Sequence, residues 1–360
     1  MKPKEHFHGS DLEKIEQYYG IKKEDIISFS ANVNPLGISP LLRKSLTEHI
    51  DAITTYPDRE YTSLRTVISE YAHTTCERVV VGNGSTELIS LFIQITNPKK
   101  ALIIGPTYSE YEREVSLLGG KSHYFSLTED NEFTLDTKAL TIELEKEVDL
   151  LIICNPNNPT SSVIYHDQMR EILDFCKRKS ITVLVDETYV EFTENISKVT
   201  AVNLTEYYNN LIILRGTSKF FAAPGLRLGY AICGNKDLLK EIEKKKNPWT
   251  INTLAAIAGN IMFTDKAYID DTRALIDSER KRIYEIFEKH KDYKIFKPHG
   301  NFALVKILRD DINSADLFDR AIRKNLMIRD CSTFPFLNDK YIRFCFMKKE
   351  QNDRLLEIIT

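Results

Sequence analysis

Lys219 stands directly after an apolar strand, Leu211-Ile212-Ile213-Leu214, in the stretch RGTSKFFAAPGLRLGY (215–230), and Arg227 follows eight positions on. A lysine carried into apolar surroundings near a second cation has a depressed pKa, which frees its amine for Schiff-base chemistry. The guanidinium of Arg227 has the permanent charge and fork geometry that suit a phosphate. Alone, each has a plainer reading: a lysine snorkelling to water, an arginine in a surface ion pair. Gly84-Ser85-Thr86 opens a helix whose first amides have no partner of their own and so favour an anion. Ser85 or Thr86 as an ordinary N-cap is the simpler alternative there. Asp186 ends the apolar run ITVLV, so its carboxylate needs a partner, either a protonated ring nitrogen or backbone amides. Asn158 lies in an Asn-Pro turn, and Tyr108 could stack on a planar ligand or simply pack.

Together these residues describe one ligand, with a phosphate, an aldehyde, a phenolic oxygen and a basic ring nitrogen. Pyridoxal 5′-phosphate (PLP) has all four. The elements that must position them alternate regularly. Short, nearly continuous apolar strands (ERVVVGNG, KALIIGPT, VDLLIICNP, ITVLVDETY, NLIILRGTSK) are followed by amphipathic helices. That pattern predicts an α/β domain with a mostly parallel sheet over residues 40–250. Every candidate but Arg227 lies at a strand exit, in GNGSTE, GPTY, NPNNPT, DETY or GTSK, where open α/β sheets bind ligands. After NPWTINTLAAIAGNIMF the texture changes to a long charged helix and the strands YKIFKP, NFALVKIL, LMIRDC and YIRFCFM. These predict a smaller α+β domain over 251–360, joined by residues 1–39 with a helix DLEKIEQYY and a strand in IISFSANVNP.

The chain has 360 residues, 42% of them hydrophobic, and a net charge of −3. Its pI of about 6.3 gives no nucleic-acid footprint. The first residues carry no apolar leader and no run approaches membrane-spanning length, so a cytoplasmic protein is expected. Six scattered cysteines without CxxC or zinc spacing predict no structural metal. No GxGxxG follows the first strand, which argues against a nucleotide-binding dehydrogenase. A PLP-binding protein without turnover is a further alternative, disfavoured because the candidate lysine, acid and substrate groups are all present.

GNGSTE, NPNNPT, VDETYVEF and SKFFAAPGLRLGY, in this order and spacing, resemble the aspartate-aminotransferase superfamily of PLP enzymes (fold type I). The resemblance implies that Lys219 carries PLP, that Asp186 pairs with the ring nitrogen, and that Asn158 and Tyr189 bond the phenolic oxygen. It implies Tyr108 stacked on the ring, the Gly84, Ser85 and Thr86 amides with Ser218 and Arg227 on the phosphate, and a homodimer in which Tyr56 reaches over from a second subunit. Within the superfamily the chain is similar to histidinol-phosphate aminotransferases and, through FHGSDLEKIEQYYG, ISFSANVNPLG, NPWTINTLAA and IRDCSTFPFL, more similar to the threonine-phosphate decarboxylases of cobalamin biosynthesis. That likeness implies decarboxylation of O-phospho-L-threonine or O-phospho-L-serine, with His8, Gly9, Asn32, Asn158, Arg329 and Arg343 on the phosphorylated amino acid. The alternative is amino transfer to 2-oxoglutarate. Three positions depart from the pattern. Ser161 stands where glycine is usual after NPT, Gly216 where a hydroxyl residue is common, with Thr217 or Ser218 as substitutes, and Ser10 where a second glycine is usual.

Overall fold

The apolar runs become buried strands in the computed structural model, which describes Phe7, Gly9 and residues 11–360. In chain order they are β1 (Ile27–Ser28), β2 (Val79–Gly82), β3 (Lys100–Gly105), β4 (Lys121–Ser126), β5 (Leu150–Cys154), β6 (Thr182–Asp186) and β7 (Leu211–Gly216). There follow β8 (Gly229–Cys233), β9 (Tyr293–Ile295), β10 (Phe302–Ile307), β11 (Leu326–Met327), β12 (Arg329–Asp330) and β13 (Tyr341–Cys345). The large sheet has seven strands in the order β2-β8-β7-β6-β5-β3-β4. All its neighbours pair in parallel except β8, which runs antiparallel to both β7 and β2. Every residue of β2, β5, β7 and β8 is buried, as a sheet covered on both faces requires. Because β2, β3, β5, β6 and β7 point the same way, their carboxyl ends lie along one edge and deliver Gly84, Tyr108, Asn158, Tyr189 and Lys219 to it.

Two strands of this sheet escape the sequence pattern. β8 is five residues long and directly follows the Arg227 turn. β4, KSHYFS, exposes Lys121 and His123, as its edge position allows.

The second sheet is antiparallel, β12-β13-β10-β9, and a separate parallel pair joins β1 to β11. Two expectations change here. LMIRDC is not one strand: it divides between β11 and β12, in different sheets. The strand expected through IISFSANVNP stops at Ser28. From Ser30 to Asn32 the carbonyls bond side chains instead of a ladder. Ser30 O accepts from Arg343 Nη2 at 2.6 Å, Ala31 O from Lys219 Nζ at 2.7 Å and Asn32 O from Asn301 Nδ2 at 2.9 Å. Asn34 N in turn donates to Lys219 O at 3.0 Å.

The helix Lys266–Glu288 ties the sheets together, its Arg280 donating to the carbonyls of Phe192, His299 and Gly300. Among the described residues no helix is long and apolar enough to cross a membrane.

Candidate active site

The helix after β2 begins at Gly84, and Asn83 precedes it without a side-chain cap among the described residues. Ser85 and Thr86 therefore sit inside the first turn and are not its N-caps. Gly84 has φ +80°, and a Cβ there would run into the guanidinium of Arg227. A Cβ on Gly229 would meet Gly84 C and Ser85 N, each at 2.5 Å. These two glycines let the helix N-terminus, β8 and Arg227 close on one another. Ser85 Oγ and Ser218 Oγ flank Gly216, at 3.4 and 3.7 Å from where its Cβ would stand. Thr217 donates its hydroxyl to Leu228 O at 2.9 Å, so Ser218 is the hydroxyl left to compensate for Gly216. Free amides, a guanidinium and two hydroxyls form a cradle with the donor set of a phosphate site.

Lys219 enters beside this cradle. Burial, then the charges of Arg343 and Arg227, bring its amine down from 10.5 to about 8. The sequence names Arg227 as the second cation; Arg343, 124 positions further along the chain than Lys219, weighs more. Asp186, 5% exposed, ends β6. Its Oδ1 accepts from Thr188 N at 2.9 Å and Thr188 Oγ1 at 2.6 Å, and its Oδ2 accepts from Tyr111 OH at 2.7 Å. The Tyr108 hydroxyl lies by Thr86, and burial raises its pKa. Its ring meets that of Tyr111 edge-on, with centroids 5.7 Å apart.

The opposite wall comes from the N-terminal segment and the small sheet. Asn32, held at φ 55°, donates from Nδ2 to Tyr189 OH at 3.4 Å. Arg343 donates from Nη1 to Asn158 Oδ1 and lies over the Phe302 ring. Arg329 stands directly across from Arg343 in the β12–β13 register, and each is 5% exposed. Arg329 donates to Phe7 O and, at 2.8 Å, to Thr333 Oγ1. Gly9 packs backbone to backbone on this wall: a Cβ there would lie 2.5 Å from Ser30 O. The buried Arg343 Nε and Asn32 Oδ1 have no hydrogen-bond partner among the described residues. Beside Lys219, this donor and this acceptor are available to a ligand's atoms.

Of the residues singled out from the sequence, His8 and Ser10 lie outside the described residues. Tyr56 is 80% exposed, and its ring sits 4.9 Å from that of Trp249, not among the groups around Lys219. Ser161 has φ 60°, the conformation that would favour glycine, and its hydroxyl explains the exchange. Ser161 Oγ accepts from Gly300 N at 2.8 Å and His299 N at 3.1 Å, bracing the NPNNPT turn against the approach to β10. The sequence reading misses Tyr111, Thr188 and Asn34. Tyr111 lies three positions after Tyr108, a second tyrosine near the same strand exit, a spacing that does not by itself point to Asp186. Asn34 Nδ2 donates to Phe220 O at 2.8 Å and so holds the residue after Lys219.

The residues fit PLP: an anion cradle for its phosphate, an amine of lowered basicity, and a buried carboxylate with room for one more donor. The family model for aminotransferases of class I and II matches residues 24–359. A putative threonine-phosphate decarboxylase of Caldanaerobacter subterraneus subsp. tengcongensis is 35% identical over 91% of this chain and 88% of its own. The threonine-phosphate decarboxylase of Salmonella typhimurium is 30% identical over 97% of this chain and 94% of its own. The crystal structure of the histidinol-phosphate aminotransferase from Clostridium acetobutylicum superposes with a TM-score of 0.85 at 33% identity, covering 92% of this chain and 97% of that one. The chain belongs to the class I and II aminotransferase family, and it is an enzyme whose cofactor is pyridoxal 5′-phosphate.

Proposed function

We propose that the enzyme decarboxylates O-phospho-L-threonine, or its serine counterpart, to the amino-alcohol phosphate used for the cobalamin side chain. The observation that carries this reading is the in-register pair of buried arginines, Arg329 and Arg343. Two guanidiniums side by side in low dielectric need anions to offset their repulsion. Burial and Arg343 already lower the pKa of Arg329. A small substrate bearing both a carboxylate and a phosphate supplies the two anions at once.

In this reading Lys219 holds the cofactor, and the Gly84–Thr86 amides, Ser218 and Arg227 hold its phosphate. Asp186 keeps a proton at its ring nitrogen, Asn158 and Tyr189 bond its phenolic oxygen, and Tyr108 covers its face. When bound, PLP supplies an electron sink for a bond broken at the substrate's α-carbon. Arg343 grips the α-carboxylate in a bidentate pair, while Arg329, with His8 and Gly9, grips the phosphate. Two fixed ends leave the α-carbon one orientation, and that orientation selects the carbon–carbon bond over the carbon–hydrogen bond. As carbon dioxide leaves, Lys219 delivers a proton to the α-carbon. The Arg343–Asn158 hydrogen bond couples the carboxylate grip to the residue on the phenolic oxygen. Tyr56, exposed beside Trp249, reaches the phosphate of a second copy in a homodimer.

Amino transfer of the histidinol-phosphate type is the second reading, favoured by the 33% identity and 0.85 TM-score of the Clostridium acetobutylicum enzyme. Titration of the PLP-loaded protein with O-phospho-L-threonine and with L-threonine, followed by absorbance, tests the two-anion site. The phosphorylated compound should bind about 10–100-fold tighter, and Arg329→Ala should abolish that preference, the magnitude of one charge-assisted grip. Equal affinity for both amino acids would contradict the assignment.

A further inference from the structure

Three donors already converge on Asp186, and one of them comes from a residue that no role in the proposed site requires. A carboxylate has about four acceptor positions. Thr188 fills two on Oδ1 through its amide and hydroxyl, and Tyr111 fills one on Oδ2 at 2.7 Å. One position remains, on Oδ2. The Tyr111 ring is 1% exposed, and burial, then the Asp186 charge, raises its pKa well above 10.0, so its hydroxyl stays a donor at any working pH. Its ring also meets Tyr108 edge-on, at an interplanar angle of 88°. Through the first turns of the helix Glu110–Leu117, one residue touches both the acid and the aromatic ring beside it.

We propose that Tyr111 is a positioning residue for Asp186: its hydroxyl fixes the rotation of the carboxylate and leaves one Oδ2 position for the cofactor's ring nitrogen. This rests on the reading that Asp186 faces that nitrogen. With Oδ1 held twice by Thr188 and one side of Oδ2 held by Tyr111, the remaining acceptor position points one way, toward the place the ring nitrogen would occupy. Without the hydroxyl the carboxylate is free to turn, and its hold on the ring nitrogen weakens. The ring of Tyr111 serves packing, whereas the hydroxyl serves the site, so phenylalanine separates the two.

The experiment compares wild type, Tyr111→Phe, Asp186→Asn and the double variant. Readouts are the dissociation constant of PLP from the apoprotein, the pH midpoint of the bound cofactor's absorbance change, and apoprotein melting. Tyr111→Phe should weaken PLP binding about tenfold, the scale of one hydrogen bond to a charged group, and shift the absorbance midpoint. In the Asp186→Asn background the same exchange should change neither quantity. A Tyr111→Phe effect of equal size in both backgrounds, or an unshifted midpoint with only lowered melting, would overturn the proposal and leave Tyr111 as packing. If Asp186→Asn binds PLP as wild type does, the reading of Asp186 itself fails, and the proposal with it. Should Tyr111→Phe not fold, Tyr111→His, which keeps a ring donor there, should retain an Asp186-dependent midpoint near that of wild type; a midpoint independent of Asp186 would overturn the proposal.

Discussion

Burial and two neighbouring guanidiniums bring Lys219 down to about 8, which sets a pH signature for the apoprotein. Its protonated form is lost as pH rises through about 8, so capture of PLP should accelerate up to that pH and then level off. Unfolded lysine titrates near ~10.4, so between the two values the unfolded chain binds more protons. Lys219 should therefore make apoprotein stability rise with pH over that window, and Lys219→Met should remove that part of the slope in denaturant titrations. Borohydride should fix the cofactor to wild type but not to this variant. Gly84 makes a second test. Gly84→Ala adds backbone strain and strikes Arg227, so PLP affinity should fall about tenfold or more, as measured by cofactor titration. Gly119→Ala, at φ +78° with no described atom within 4 Å of its Cβ, adds only the strain and should leave PLP affinity unchanged. Lys219, Asp186 and Asn158 were legible in the sequence because each ends or follows an apolar strand, where a charge or amide needs a reason. Tyr111 was not, since its partner Asp186 lies 75 positions away and only the sheet order joins them.

Ser161 and the segment after β1 act at the scale of elements. Ser161→Ala leaves the buried Gly300 amide without its acceptor at the same positive φ, while His299 N keeps its bond to Ser161 O, and should cost about 1–3 kcal/mol in a denaturant titration. Ser161→Gly loses the same bond but relieves the backbone, and should cost less. The reverse order would show that the turn is held by something other than the hydroxyl. The parallel strands were legible because burial on both faces writes continuous Val, Ile and Leu. β4 and β8 were not, the first being half polar at an edge and the second five residues after a turn. LMIRDC reads as one strand because Leu326, Met327 and Ile328 form an apolar run with no glycine or proline after it to break it. It divides because Leu326 and Met327 pair with β1, whereas Arg329 must face Arg343. The segment Ser30–Asn34 shows the opposite conflict, strand-like in sequence but with its backbone committed to Arg343, Lys219 and Asn301.

At the scale of the molecule, the site is assembled from both ends of the chain around the large sheet. The proposed homodimer extends this logic to a second copy, with Tyr56 supplied across the interface. Tyr56→Ala and Lys219→Ala, each inactive alone, should regain activity when unfolded and refolded together, because mixed dimers hold one intact site. Monomers by sedimentation, or mixtures as inactive as their components, would contradict a shared site. The alternation of strands and helices could be read from periodicity, whereas the pairing of Arg329 with Arg343, and the approach of Arg343 to Lys219, could not, since they depend on how the small sheet forms and docks. The central claim is that this arginine pair turns the family's chemistry toward loss of carbon dioxide. It is tested most directly by supplying PLP-loaded enzyme with O-phospho-L-threonine and no keto acid, beside a reaction containing histidinol phosphate and 2-oxoglutarate. Carbon dioxide and 1-amino-2-propanol phosphate in the first, with no glutamate in the second, is the predicted result. Glutamate from the second with no carbon dioxide from the first would contradict it and make the enzyme an aminotransferase.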